Sequence, residues 1–166
     1  VGSDHIDSTA FGVYGTWFSH NGFYVDASYR WLDFDAHLKS PGGFQSTSGK
    51  GEAVNVEAGY AAWNWAGIAI TPQLQYTHSK VDGFRAIHGS SADFLAAGWD
   101  SSRGRAGVEF SKAIDGGGWI WTPYGSVNAV REFDGESSYT VADTFTGSTS
   151  VEGTSAMVEM GLGAQR

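Results

Sequence analysis

The sequence predicts an all-β chain, an antiparallel up-and-down transmembrane β-barrel. Apolar and polar residues alternate with period 2 in one segment after another, while helical periodicity is nearly absent. Short and long connections alternate between those segments, as in membrane barrels with short periplasmic turns and long outer loops. Ionisable residues sit mid-segment on one face, opposite a face rich in Ala, Val, Ile, Leu and Phe.

In chain order, residues 11–17 set Phe11, Val13 and Trp17 against Gly12, Tyr14 and Thr16. His20-Asn21-Gly22 then signals a tight hairpin, because Asn-Gly supplies two residues tolerant of positive φ. Residues 23–31 set Phe23, Val25, Ala27, Tyr29 and Trp31 against Tyr24, Asp26, Ser28 and Arg30, before a long Ser/Gly/Pro-rich connection at 39–50. Residues 53–62 carry Val54, Val56, Ala58 and Tyr60 opposite Asn55, Glu57 and Gly59, and a short connection follows at 63–67. Residues 68–77 alternate Ile68, Ile70, Leu74 and Tyr76 with Thr71, Gln73, Gln75 and Thr77, and lead to a very long connection at 79–100. Residues 103–110 alternate Arg103, Arg105 and Glu109 with Gly104, Ala106, Val108 and Phe110, ahead of a short turn at 114–118. Residues 124–132 set Tyr124, Ser126, Asn128 and Glu132 against Gly125, Val127 and Ala129, and a long connection covers 134–153. Residues 156–165 close the series, with Ala156, Val158, Met160 and Leu162 opposite Met157, Glu159, Gly161 and Gln165. About seven strands are therefore expected. Pro72 and Pro123 cannot donate into a central ladder, so they are expected among the first residues of their strands, beside Trp63, Trp65, Trp119 and Trp121 at one rim.

Composition narrows the function classes. The chain has 166 residues with a formal net charge of -8, which argues against a nucleic-acid partner held by bulk charge. It has no Cys, which removes disulfides, thiol catalysis and the usual structural zinc sites. No stretch approaches the ~20 apolar residues of a membrane helix, whereas a barrel strand needs only ~10 residues of alternating polarity. Unpaired charges are rejected by a dry core and by lipid alike. Asp26, Arg30, Glu57, Arg103, Arg105, Glu109, Glu132 and Glu159 are accordingly the candidates for a polar, water-filled lumen. Trp17, Phe23, Tyr29, Trp31, Tyr60, Tyr76, Trp119 and Trp121 are the candidates for aromatic girdles at the membrane boundaries.

No catalytic residue, metal site or cofactor is expected. Gly161-Leu-Gly163 lacks the third glycine of a dinucleotide loop and opens no helix, and Gly49-Lys50-Gly51 lacks the frame of a phosphate loop. No Gly-x-Ser-x-Gly elbow occurs. His5, His20, His37, His78 and His88 are scattered, and Asp33-Phe34-Asp35 offers too few oxygens for calcium.

Several segments, in order along the whole chain, resemble the autotransporter translocator domain, the C-terminal barrel of type V secretion. They are Gly12-Val-Tyr14-Gly-Thr-Trp17, Asn21-Gly-Phe-Tyr-Val-Asp26, Glu57-Ala-Gly59-Tyr60, Thr71-Pro-Gln-Leu-Gln-Tyr76, Gly104-Arg105-Ala-Gly107, Thr122-Pro-Tyr124, Arg131-Glu-Phe133, and Gly153-Thr154 leading to Glu159-Met-Gly161-Leu-Gly163. The resemblance implies a 12-stranded barrel in the outer membrane of a Gram-negative bacterium. It also implies an upstream passenger exported in cis, a linker helix in the lumen, and assembly by periplasmic chaperones and the barrel-assembly machinery. In some members acidic lumen residues cleave the passenger junction, but no Asn-Asp junction is visible here. The odd strand number, a start on the outer side, and an end at Gln165-Arg166 without a terminal aromatic depart from that pattern. They lead us to expect residues 1–166 to be a single partial barrel domain, short of early strands and the last hairpins. A soluble β-sandwich binding or adhesion module and a small outer-membrane barrel with host-binding loops are the alternatives.

Overall fold

A computed structural model describes residues 3–40, 43–61, 63–88, 92–141 and 143–166. Residues 1–2, Ala62 at the end of the third expected strand, and the tips of the three long connections at 41–42, 89–91 and 142 lie outside the described residues. The strands are β1 (Ser3–Phe18), β2 (Phe23–Ser40), β3 (Gly43–Tyr60), β4 (Trp63–Trp65), β5 (Ile68–His88), β6 (Ala92–Ser111), β7 (Ile114–Gly116), β8 (Trp119–Val141), β9 (Phe145–Ser150) and β10 (Gly153–Gln165). All pair antiparallel in a single sheet of path β1-β2-β3-β5-β6-β8-β10, so each long strand lies beside the next in sequence. The sheet is open, with β1 and β10 at its ends. A β-sandwich needs a second sheet over the apolar face; among the described residues there is none.

The seven strands of the path are those the alternation marks, but their lengths were underestimated. The connections expected at 39–50, 79–100 and 134–153 are largely ladder. Ser40 still faces Gly43, His88 faces Ala92, and Val141 faces Phe145. The long strands run to 23 residues, against the ~9–11 that cross a bilayer. These extensions are rich in Gly and Ser, which leave little apolar/polar alternation to mark a strand, so the sequence reads as loop. β9 and β10 form one return strand interrupted at Val151 and Glu152, where the Val151 N–H still donates to the Gly135 carbonyl at 2.9 Å.

The short turns sit at the opposite end. Ala66-Gly67 (φ 53° and 79°) and Gly117-Gly118 (φ 64° and 76°) carry positive φ at both central residues, as a type I′ hairpin requires. They close the short ladders Trp63↔Ile70 and Ile114↔Trp121. The Asn21-Gly22 hairpin differs from expectation, since only Gly22 takes positive φ (90°). Gly22 N–H donates to the Ser19 carbonyl at 3.2 Å, which makes a longer turn that ends on the glycine.

Pro72 and Pro123 also sit differently from expectation, each in the fifth position of its strand rather than at the start. Each occupies a break along one edge. β5 pairs with β4 up to Ile70 and with β3 from Gln73, while β8 pairs with β7 up to Trp121 and with β6 from Tyr124. Neither break asks Pro for the N–H it lacks.

Burial is inverted relative to a soluble domain. The side chain most removed from solvent is Asn128 at 2 % exposure, with Ser126 and Thr71 also buried. Met160, on the other face, is 83 % exposed. Aligned registers keep Asp26, Glu57, Gln75 and Arg105 in one row of the polar face.

Candidate functional site

The polar face converges on Arg105 in the middle of β6. Its Nη2 donates to Glu57 Oε2 at 2.6 Å, its Nε to Gln75 Oε1 at 2.8 Å, and its Nη1 to Asn128 Oδ1 at 3.1 Å. Glu159 Oε2 lies 3.9 Å from Nη1. The chain of contacts continues both ways. Tyr24 Oη donates to Glu57 Oε1 at 2.9 Å and accepts from Gln73 Nε2 at 3.0 Å. Asn128 Nδ2 donates to Ser126 Oγ at 2.9 Å, and Ser126 donates to Glu159 Oε2 at 3.1 Å. The seam thus ties β2, β3, β5, β6, β8 and β10 together through side chains. The Arg105 and Glu57 side chains are only 14 % and 16 % exposed, so this is a partly desolvated ion pair whose polar atoms are matched.

Glycines open the lanes through which these side chains reach. Tyr24 faces Gly59 in register, and a Cβ on Gly59 would strike the Tyr24 ring. Asn128 faces Gly107, where a Cβ would strike its carboxamide. Tyr124 covers Gly161 in the same way. Laid across Gly59, Tyr24 thereby reaches past β3 to Gln73 of β5.

Of the polar residues singled out from sequence, Glu57, Arg105 and Glu159 meet in this seam. Asp26 shares its row as the register partner of Glu57. Glu132 instead clamps the irregularity between Ser102 and Arg103, accepting from Ser101 Oγ and the Ser102 N–H, both at 2.9 Å. Arg30, Arg103 and Glu109 lie on the same face, outside the hydrogen-bonded chain formed by Arg105 and its partners. Sequence reasoning did not single out Tyr24, Gln73, Gln75, Ser126 or Asn128. Their parity with the charged residues, and the glycines opposite two of them, were the available signals.

On the apolar face the expected aromatics fall at two levels. Trp31 stacks on Phe11 (centroids 5.7 Å apart) and meets Tyr29 edge-on at 4.2 Å, and Tyr76 also belongs to this side. Nearer the short turns, Trp17 meets Phe23 at 6.1 Å, Tyr60 meets Trp63 at 6.0 Å, and Trp119 meets Trp121 at 6.0 Å. Beyond the first level stand ionisable groups, with Lys80 between Glu52 and Asp100 in register. His78 Nδ1 lies 3.0 Å from Ser102 Oγ and 3.6 Å from Asp100 Oδ1. Serine and aspartate address the same ring nitrogen, so no proton relay through the imidazole is formed. No group of three metal-ligating side chains occurs among the described residues.

Comparison with known proteins agrees with this architecture. The family model described as the autotransporter beta-domain matches residues 1–166. The chain is 31% identical over 172 residues to the pertactin autotransporter of Bordetella parapertussis, covering 98% of this chain and 18% of that protein. It is 27% identical to the autotransporter adhesin/invasin TibA of Escherichia coli O78:H11, over 99% of this chain and 17% of TibA. It therefore spans about a fifth of the length of these relatives. Among solved structures, the beta domain of the Bordetella autotransporter BrkA superposes with a TM-score of 0.67 at 18% identity, covering 97% of this chain and 69% of that one. The chain belongs to the autotransporter beta-domain family.

Proposed function

We propose that this chain works as an outer-membrane translocator barrel that anchors an upstream passenger and helps carry it to the cell surface. One observation carries the reading: a buried polar seam on one face of a single sheet, backed by an apolar face bounded by aromatics at two levels. In a bilayer the apolar face meets lipid, the aromatics lie at the two interfaces, and the seam faces a polar lumen. Asp26, Arg30, Glu57, Arg103, Arg105, Glu109, Glu132 and Glu159 are then lumen groups. Trp17, Phe23, Tyr29, Trp31, Tyr60, Tyr76, Trp119 and Trp121 form the girdles. Trp31 lies eight residues beyond Phe23, roughly 26 Å along the strand at ~3.3 Å per residue, or roughly 20 Å of height at a tilt near 40°, which places the pair toward the two boundaries of the ~25 Å apolar band.

The edges of β1 and β10 offer unpaired backbone groups that lipid does not satisfy, so further strands close the barrel in the intact protein. The lumen face is itself divided. Beside the polar seam, β1 and β2 present Ile6, Tyr14, Phe18 and Leu32 on the same side, with Tyr14 89 % exposed. A linker helix with one polar and one apolar face matches both halves. Transport and anchoring, rather than a catalytic step, follow from this arrangement. The chain's partners are then lipid, its own passenger and linker, and the chaperones and barrel-assembly machinery that insert it.

The test is fluorescence of the full-length protein in vesicles with quenchers tethered at defined depths. Girdle tryptophans should be quenched at both interfaces and little at the bilayer centre. A full-length protein that stays soluble without detergent and ignores the quenchers would overturn the reading.

A further inference from the structure

Arg131 stands out on the face it occupies. Register places it opposite Gly104 of β6 and Thr154 of β10, on the apolar side. From the lower aromatic level up to this row, it is the one charged side chain on that side among the described residues of β2, β3, β5, β6, β8 and β10. It lies ten residues beyond Trp121, about 33 Å along the strand at ~3.3 Å per residue, or roughly 25 Å of height at a tilt near 40°. That is one full apolar band, so the guanidinium sits at the far interface, where a lipid-facing arginine is least costly.

Its contacts leave its charge unmatched. The guanidinium carbon lies 5.7 Å over the Phe133 ring, and Nη1 reaches Thr154 Oγ1 at 3.5 Å. Among the described residues no carboxylate forms an ion pair with it. Beside it, the apolar face is recessed into an open groove of about 700 Å³ that runs across β3, β5, β6 and β8 in its own row and the next. Gly104, Ala106 and Ala129 form the floor, and Val56, Leu74 and Phe133 rise around them. The Phe133 ring arrives there because Phe133 is the extra residue of the β6–β8 irregularity, which turns it over Gly104. With a methylene filling roughly the ~30 Å³ of a water, the groove takes on the order of twenty carbons.

We infer that this groove seats an acyl chain of one membrane lipid whose anionic phosphate headgroup lies against Arg131. The inference rests on the membrane reading above, since a site at this height needs lipid around it. The apolar recess suits a hydrocarbon chain, and the cation on its lining at interfacial height suits the phosphate.

The full-length protein, reconstituted in nanodiscs of equal phosphatidylglycerol and phosphatidylcholine, tests this by native mass spectrometry of the lipids retained on release. We expect phosphatidylglycerol to be retained several-fold over phosphatidylcholine. Arg131→Gln should abolish the preference while keeping some bound lipid, and Ala129→Phe, which fills the floor, should lose both. Equal retention of the two lipids by the unaltered protein, or a preference that survives Arg131→Gln, overturns the site. Flotation with the same lipids separates the two levels of the argument. A protein that floats but shows no preference loses only the site, whereas one that fails to float loses the membrane reading as well.

Discussion

Arg105 distributes its donors over Glu57, Gln75 and Asn128, and its position on the central β6 makes it the one side chain that couples both halves of the seam. Replacing it with Ala leaves the Glu57 carboxylate largely buried beside Tyr24, with its cation gone. The expected cost is about 3–5 kcal/mol, read as the shift in urea midpoint of the protein refolded in detergent. A cost below ~1 kcal/mol would show that water substitutes for the guanidinium. A double-mutant cycle with Glu57→Gln should return a coupling of ~1 kcal/mol or more, because the two groups touch directly at 2.6 Å. Gly107→Ala reaches the same seam from the backbone. Its Cβ must displace the Asn128 carboxamide, so a loss of about 1–3 kcal/mol is expected, with the effect much smaller when Asn128 is already Ala.

At the level of strands and turns, the short hairpins hold one avoidable strain. Ala66 takes φ 53° in a turn whose partner, Gly117-Gly118, uses two glycines. Ala66→Gly should therefore raise stability by up to ~1 kcal/mol in the same urea titration, and an unchanged or lower midpoint would count against the turn assignment. How well the sequence announced each strand follows from what lay on its two sides. In β2 from Phe23 to Trp31, one side meets apolar surroundings and the other meets polar partners, so parity is strict and the strand is legible. In the first half of β3 and the far half of β8, Gly, Ser and Thr serve equally well in either orientation. Those stretches were read as loops although they pair to the last described residue. The site shows the same division. Parity identified the face of Arg105 and Glu57, but Tyr24 and Asn128 enter only because Gly59 and Gly107 clear a path, which depends on register. Pro72 and Pro123 are legible as edge features, yet the gaps that admit them exist only where three strands meet.

For the whole molecule, the inverted distribution of polarity makes the two sides of one strand respond oppositely to the same change. Met160, midway along the exposed apolar side of β10, should cost about 2–4 kcal/mol as Met160→Lys in lipid vesicles. Thr16→Lys, on the polar side of β1 and exposed, should be nearly silent. Equal effects at the two positions would contradict the assignment of lipid and lumen. The hairpin extensions are equally one-sided, for they project from a single end and carry Asp33, Asp35, Asp82, Asp100, Asp134 and Glu136. A chain approaching the membrane from the short-turn side must push these carboxylates through hydrocarbon before any strand can span it, while the compact Gly-Gly and Ala-Gly tips stay behind. Spontaneous insertion thus meets its steepest barrier at the first step, and that barrier lies in the hairpins that end up outside the bilayer. Replacing these acids with their amides should therefore quicken unassisted insertion into vesicles without changing the finished barrel, and an unchanged rate would count against a barrier at this end.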